Sequence, residues 1–300
     1  MMKKQQAWHQ YWQQGQQQSC IASDSEQRLV KKLWLDWQEK LPKQSTILDL
    51  ATGNGAVIAN LLEGDKAHEH RYIGVDYAAI NPQGITGHFE EQVTFLGEVD
   101  LAHLPFADHS IDAVTSQFGF EYAAQTSAVS EIARVLRNGG CFQLIIHHAN
   151  GEIVTANKLR HNEISLLMAS DALIESAQAL ADSKLSLEQI ETKAQRFIQQ
   201  HQGSLSKSIT GQVLESINQA VLAIQQGNYS SAKSMMSLLA NKLSAEQVRL
   251  EQLLSVAKSE NDIKTLVSEL QSYGMRCHNS SVLTEDKLTF AWLIHGVKNG

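Results

Sequence analysis

The residues best placed to do chemistry lie in one run, Asp49-Leu-Ala-Thr-Gly-Asn-Gly55, between a short apolar stretch and the helical pattern Ala56–Leu62. Two glycines one residue apart let the backbone turn sharply and approach a ligand without a Cβ in the way. The amides opening the next helix then face that ligand. A loop that holds a dinucleotide's pyrophosphate prefers G-x-G-x-x-G. Here Ile58 stands where the third glycine would be. Asp49, ending the first apolar run, would repel a pyrophosphate and suits a ligand bearing an ammonium group. The pair of features argues against NAD.

Further carboxylates follow in order. Gly74-Val-Asp76 ends the second apolar run, where a carboxylate can accept from both hydroxyls of a ribose. Asp100-Leu101 follows the third, where it can accept from an adenine amino group. Taken alone, an aspartate after a strand is a cap or turn residue; it is the order and spacing of several that points to a ligand. Histidines His147 and His148 end the fifth run, Leu-Ile-Ile-His-His. Ligands of open α/β sheets gather at that edge, and imidazole exchanges protons near neutral pH. Either residue is therefore a candidate base, against the alternative that one caps backbone groups and the other is solvated. Glu121 and Tyr122, after the fourth run, are candidates to touch a substrate at the same edge. A metal reading of the His-His pair fails because adjacent strand residues point to opposite faces, and no third ligand can be assigned.

The elements that must position these groups are legible as alternating patterns. Apolar runs at Thr46–Leu50, Arg71–Val75, Val93–Leu96, Ile111–Ser116 and Cys141–Ile146 alternate with helical stretches, including Ser127–Leu136. That is the signature of a buried parallel sheet flanked by helices. Gly139-Gly140 reads as a helix stop feeding the fifth strand. Residues 1–40 read as two helices. Trp8, Tyr11 and Trp12 share one face at i, i+3, i+4, and a second helix over about Asp24–Lys40 carries a stripe of Leu29, Val30, Leu33, Trp34 and Trp37.

From about Gly151 to Asn261 the chain lacks proline and is poor in aromatics. Four or five helices are expected there, with breaks near Asp182–Ser186, Gly203–Ser208 and Gly227–Ser230, forming a thin helical layer. The end restores the mixed pattern: a helix over about Asp262–Tyr273, then strands Met275–Val282 and Lys287–Val297 as a closing hairpin.

Together these motifs resemble the class I S-adenosylmethionine-dependent methyltransferase family, especially its branch acting on small molecules. The resemblance covers about Ser45–His148 closely and the terminal hairpin by pattern. It implies a Rossmann-like α/β fold with a seven-stranded, mostly parallel sheet and an antiparallel C-terminal hairpin, and it does not cover the helical segment. With the helical patterns read above, the expected organisation is N-terminal helices over 1–40, a core of 41–150 with 262–300, and an inserted helical subdomain over 151–261. S-adenosylmethionine would be the cofactor and S-adenosylhomocysteine its product. Asp49, Ala51, Gly53 and Gly55 would lie around its methionine part, Asp76 and Tyr77 at the ribose, Asp100 and Leu101 at the adenine. Gln117 and Phe118 would line the pocket near the sulfonium. The Trp8/Tyr11/Trp12 face could fold over the cofactor or simply pack on the core. The family's first glycine is replaced by Ala51, a small departure.

Bulk properties narrow the function. A net charge of -7 argues against non-specific nucleic-acid binding. Cys20, Cys141 and Cys277 fit neither a disulfide framework nor metal-ligand spacing, so a reducing compartment is expected. The start has no apolar h-region, and no apolar run approaches the ~18–20 residues that span a bilayer. A cytoplasmic protein without a membrane partner is expected. The expected activity is methyl transfer to a small molecule by in-line displacement, with the helical segment as a cover for the acceptor pocket or a surface for a homodimer. The alternatives are a non-catalytic cofactor-binding scaffold, or a methyltransferase acting on protein or RNA. The fourth strand ends in Ser-Gln-Phe-Gly-Phe, not the N/D-P-P-Y type associated with amide or base nitrogen.

Overall fold

The computed structural model describes residues 4–13, 20–21, 23–86, 89, 91–169, 172–201 and 209–300. They divide into two compact units, Trp8–Val154 with Gln252–Gly300, and Met1–Ala7 with Thr155–Glu251.

The larger unit is built on seven strands: β1 (Thr46–Leu50), β2 (Arg71–Val75), β3 (Val93–Leu96), β4 (Ile111–Gln117), β5 (Leu136–His147), β6 (Met275–Leu283) and β7 (Thr289–Lys298). Their order is β3-β2-β1-β4-β5-β7-β6. The first five run parallel, and β7 enters antiparallel between β5 and β6. The chain winds outward from β1 to β3 and then returns to β4 beside β1. The β1/β4 boundary is therefore where the crossovers reverse, and open sheets bind ligands at the carboxyl end of such a boundary.

Helices cover both faces. On one, α2 (Asp24–Gln38) and α3 (Ala56–Gly64) bury Val30, Trp34, Trp37, Val57, Ile58 and Leu61 against Ile47, Tyr72 and Ala113. On the other, α5 (Gln125–Val135) and α11 (Glu260–Ser272) bury Val129, Ile132, Ile263 and Leu266 against Leu48, Val114 and Leu144. A capping box starts α2, with Ser23 Oγ accepting from the Glu26 amide and the Glu26 carboxylate accepting from the Ser23 amide. The remaining helices are α1 (Lys4–Trp12), the one-turn α4 (Gln83–Thr86), and α6–α10 described below.

One expectation needs correction. Gly139-Gly140 does not stop a helix. α5 ends at Val135, and Leu136 already pairs with Ile111 in the strand. The glycines lie inside β5, where the register against β4 shifts and Gly139 takes φ +74°. They make a bulge, because a side chain at Gly140 would meet the Arg137 and Asp112 carbonyls.

The smaller unit holds most of α6 (Glu152–Met168), α7 (Leu173–Ala181), α8 (Leu187–His201), α9 (Ile209–Gln225) and most of α10 (Tyr229–Val256). The expected breaks near Asp182–Ser186 and Gly227–Ser230 fall between helices, while Gly203–Ser208 lies outside the described residues. Ser186 and Gln189 form the expected reciprocal cap of α8. Rather than a thin layer, this unit has its own aliphatic core, including Ile164, Leu167, Ile174, Ile190, Val213 and Leu250, with Phe197 its buried aromatic. Glu163 is buried and accepts from both the amide and the hydroxyl of Thr210. Among the described residues no single helix is long and apolar enough to cross a membrane.

Candidate active site

The carboxyl ends of β1, β2 and β4 meet at the glycine turn. Ala51, Gly53 and Gly55 all adopt left-handed backbone, at φ +51°, +53° and +84°. The two glycines do so without steric penalty, whereas Ala51 is strained. Its Cβ also occupies the space that a Cβ on Gly119 would need. Two linked outcomes follow. Ala51→Gly should raise stability by up to about 1 kcal/mol, a gain of a few degrees in a melting curve. Gly119→Ala should destabilise, and the double variant should recover part of that loss; an additive double variant would mean the two positions do not compete.

Asp49 lies beneath this turn. It is fully buried, accepting from Thr52 Oγ1 (2.6 Å) and Thr115 Oγ1 (2.8 Å). Burial pushes its carboxyl up to about 7, against the two hydroxyls, which favour the anion, and with added repulsion from Asp76. Asp76 accepts from the Gly53 amide and from the Ala78 amide, each at 2.8 Å. Burial raises it to about 6, opposed by those amides and by His9. Two adjoining buried carboxylates held short of full ionisation are a site that a cation would complete. Asp76 makes the turn bond to the Ala78 amide two residues on and adds one to the Gly53 amide, 23 residues away.

His9 and Trp12 of α1 lie on the same turn. The Trp12 ring fills the space beside Gly53, so that any Cβ there would overlap it. The Trp12 carbonyl accepts from Asn54 Nδ2 (2.9 Å), and His9 Nδ1 accepts from the Ala79 amide (2.6 Å). Trp8 contacts Trp12, Tyr11 and Tyr122, the last edge-on at 5.3 Å. The shared helical face is thus a cluster of rings reaching from the glycine turn to Tyr122. Tyr77 is half exposed, and Asp100 is exposed, its Oδ1 accepting from the Ala102 amide while Leu101 is buried. Residues beyond Asp76, including Ala79, Ile80, Phe95 and Gly97, line a depression of about 410 Å³.

At the end of β4, Gln117 Oε1 accepts from Trp34 Nε1 at 2.7 Å, which ties the strand to α2. Phe118 adopts φ +54° and lays its ring on His147, centroids 4.5 Å apart. Glu121, in a 3-10 turn over Phe120–Tyr122, binds His147 twice. Its Oε1 accepts from the His147 amide (2.9 Å) and lies 2.7 Å from Nδ1. Glu121 Oε2 and His147 Nε2 are buried with no close hydrogen-bond partner among the described residues. The other polar group bearing on the ring is the Cys20 thiol. Burial pushes the imidazole down most strongly, yet Cys20 and Glu121 together outweigh it and hold the group up, to about 9.

His148, one residue on, faces elsewhere. It stacks on Trp292 at 4.4 Å, and burial lowers its pKa. The two histidines are therefore unequal: His147 shares a site with Phe118, Glu121 and Tyr122, whereas His148 belongs to the hairpin. Thr52, Thr115, His9, Asn54, Trp34 and Cys20 were not foreseen. Thr52 and Asn54 stood within the glycine motif itself, but nothing in the local pattern marked the others, whose partners are distant in sequence. Among the described residues no group of three or more His, Cys, Asp or Glu could hold a metal ion.

Residues 48–144 match a family described as a methyltransferase domain. The demethylmenaquinone methyltransferase of Thermus thermophilus is 42% identical over 107 residues, which is 34% of this chain and 46% of that protein. That of Deinococcus radiodurans is 35% identical over 106 residues, 33% of this chain and 42% of its own length. The ubiquinone/menaquinone biosynthesis C-methyltransferase UbiE of Bartonella quintana is 29% identical over 117 residues, 38% of this chain and 45% of that protein. The chain thus spans less than half the length of each of these relatives.

Proposed function

We propose that this chain, which carries a class I S-adenosylmethionine-dependent methyltransferase domain, moves a methyl group onto a small hydroxylated ring, with the Glu121–His147 pair taking the acceptor's proton. The observation that carries the reading is the pair of buried, incompletely ionised carboxylates under a left-handed glycine turn. S-adenosylmethionine brings an ammonium and a sulfonium for such carboxylates to face, and a ribose whose hydroxyls Asp76 can accept. The residues present fit that group. Gly53 and Gly55 let the turn take its left-handed course around the methionine part, with the Trp12 ring seated on Gly53 and Phe95 beside Gly55; Asp49 supplies negative charge beneath it, and Asp100 and Leu101 stand at the adenine end. Tyr77 lies beside the ribose, and Gln117 and Phe118 near the sulfur.

When bound, the cofactor supplies an electrophilic methyl carbon; the chain's own residues then have three tasks. Trp8, Tyr11 and Tyr122, partly exposed rings with Trp12 and Phe118 buried nearby, offer an aromatic surface on which a planar acceptor can lie, and such a surface excludes water. Positioning for in-line displacement provides much of the rate. Glu121 holds the His147 ring by Nδ1, which leaves Nε2 to receive a proton from an acceptor hydroxyl. An ionised phenol-type ring is nucleophilic at oxygen and at the neighbouring carbons. The names of the relatives, which specify quinone substrates and carbon methylation, are in keeping with a ring acceptor.

Calorimetric titration with S-adenosylmethionine and S-adenosylhomocysteine tests the reading. Wild type should bind both, and Asp76→Ala should weaken binding by a factor of about 10–100, the cost of removing a charged hydrogen-bond acceptor. Absence of binding at millimolar cofactor would overturn it. The seating of Trp12 on Gly53 favours one other reading, a scaffold without turnover. That reading predicts normal cofactor binding but no methyl transfer to any phenolic or quinol acceptor.

A further inference from the structure

Trp34 is fully buried in α2, edge-on to Trp37 with ring centroids 6.1 Å apart, and its indole nitrogen is its one polar side-chain atom. That nitrogen donates to Gln117 Oε1 at 2.7 Å, the short end of the range for such a bond. An indole N–H can only donate, so the Gln117 amide must present its oxygen to Trp34 and cannot be turned round. Its two N–H bonds therefore point away from Trp34. Gln117 is half-buried, and among the described residues its side chain has no second hydrogen bond. The strand order sets β4 between β1 and β5. Gln117, the last residue of β4, aligns with Ile145, two residues before His147. Residues two apart in a strand share a face, so Gln117 and His147 stand on the same face of the sheet. The glycine turn leaves β1 on the opposite side of β4. The fixed amide thus stands between the end of the strand that carries the turn and the end of the strand that carries His147.

We propose that Gln117 donates through Nε2 to the acceptor's oxygen and steadies the charge left there when the proton goes to His147, with Trp34 as the positioning residue that aims the amide. The proposal rests on the methyl-transfer reading above and adds a requirement on the acceptor, an oxygen that becomes anionic, as in a phenol or a quinol. The acceptor's O–H bond breaks, its proton goes to His147 and its electron pair stays on oxygen. A neutral donor already aimed at that oxygen needs no reorganisation as the charge develops. A phenolate shares its charge with the ring carbons and keeps lone pairs beyond the one that accepts. A neutral amine has a single lone pair, and the same donor would occupy it. The arrangement therefore selects oxygen-bearing rings over amines.

The probe is 4-nitrophenol, whose anion is coloured, titrated with the full chain in the presence of S-adenosylhomocysteine. Wild type should bind it with an ionisation midpoint at least about one unit below that of the free phenol, a tenfold preference for the anion. Trp34→Phe keeps an aromatic ring in the core and removes the indole N–H. It should raise the bound midpoint by about half to one unit, while affinity for S-adenosylhomocysteine stays within about threefold. Gln117→Leu should raise the midpoint at least as far. In that background Trp34→Phe should add nothing, because the two side chains act in series; a tryptophan with a merely structural role would add its own loss. An unchanged midpoint in Gln117→Leu, additive losses in the double variant, or no probe binding to a chain that holds S-adenosylhomocysteine would overturn the proposal and leave the cofactor reading in place. Failure to bind S-adenosylhomocysteine would overturn the methyl-transfer reading and this proposal with it. The Gln117→Leu midpoint decides the matter even if Trp34→Phe does not fold.

Discussion

His147→Gln is expected to slow methyl transfer by a factor of about 10²–10⁴, the usual worth of a positioned general base, while leaving cofactor affinity within about twofold. Glutamine keeps a donor toward Glu121 and so limits the cost of leaving a buried carboxylate unpaired. The pH profile is the sharper readout. A base works deprotonated, and His147 is held up to about 9 by Cys20 and Glu121 against burial. Activity in the wild type should therefore climb with pH until about 9. Glu121→Gln removes an anion from the imidazolium, so the rising limb should move to lower pH. Stability moves the opposite way. A raised histidine contributes stability that is complete below its unfolded value and is lost as pH rises through about 9. An unchanged rate in His147→Gln would remove the proton-transfer role and leave positioning alone. By contrast, His148→Gln should change the rate little, since that ring packs on Trp292.

Cofactor binding should release protons between about pH 5 and 7, where Asp49 and Asp76 are still partly protonated in the free protein. Both carboxyls are raised chiefly by burial, and a bound ammonium or a hydroxyl donor favours their ionised forms. Affinity for S-adenosylmethionine should thus tighten as pH rises toward 7, then weaken above about 8 as the cofactor's own amino group loses its proton. The binding heat should depend on the buffer's ionisation enthalpy in that window. In Asp49→Asn the dependence should flatten while the affinity falls. The free protein carries the complementary signature. Because its folded state holds these protons more tightly than the unfolded chain, its stability should fall as pH rises from about 4 to 7, by on the order of a few kcal/mol. Asn at 49 should remove most of that slope. A pH-independent affinity with no buffer-dependent heat would mean that Asp49 is not coupled to the ligand.

Much of the frame is legible locally. The run ending in Asp49 and the left-handed Gly53 and Gly55 can be read in the chain because a buried parallel strand needs a continuous apolar run and the turn needs residues free of a Cβ. The α2 stripe is equally direct: Val30, Trp34 and Trp37 recur at helical spacing and all face the sheet. The bulge at Gly139-Gly140 looks like a helix stop in sequence because paired glycines serve both purposes, and only the register of β5 against β4 distinguishes them.

The site itself divides along the same line. The glycine turn, the three ordered aspartates and the placing of two histidines at a strand end were determined by the sequence alone, since each follows from residue type and spacing within one strand–turn–helix unit. Which histidine has a chemical partner was decided only by the tertiary structure. Successive strand residues point to opposite faces, so His147 meets Glu121, 26 residues away, while His148 meets Trp292 of the hairpin. The same holds for Asp49, whose carboxyl is governed chiefly by burial, opposed by the hydroxyls of Thr52 within the turn and of Thr115, 66 residues away. Burial and long-range pairing set proton affinities, and neither is a property of local pattern.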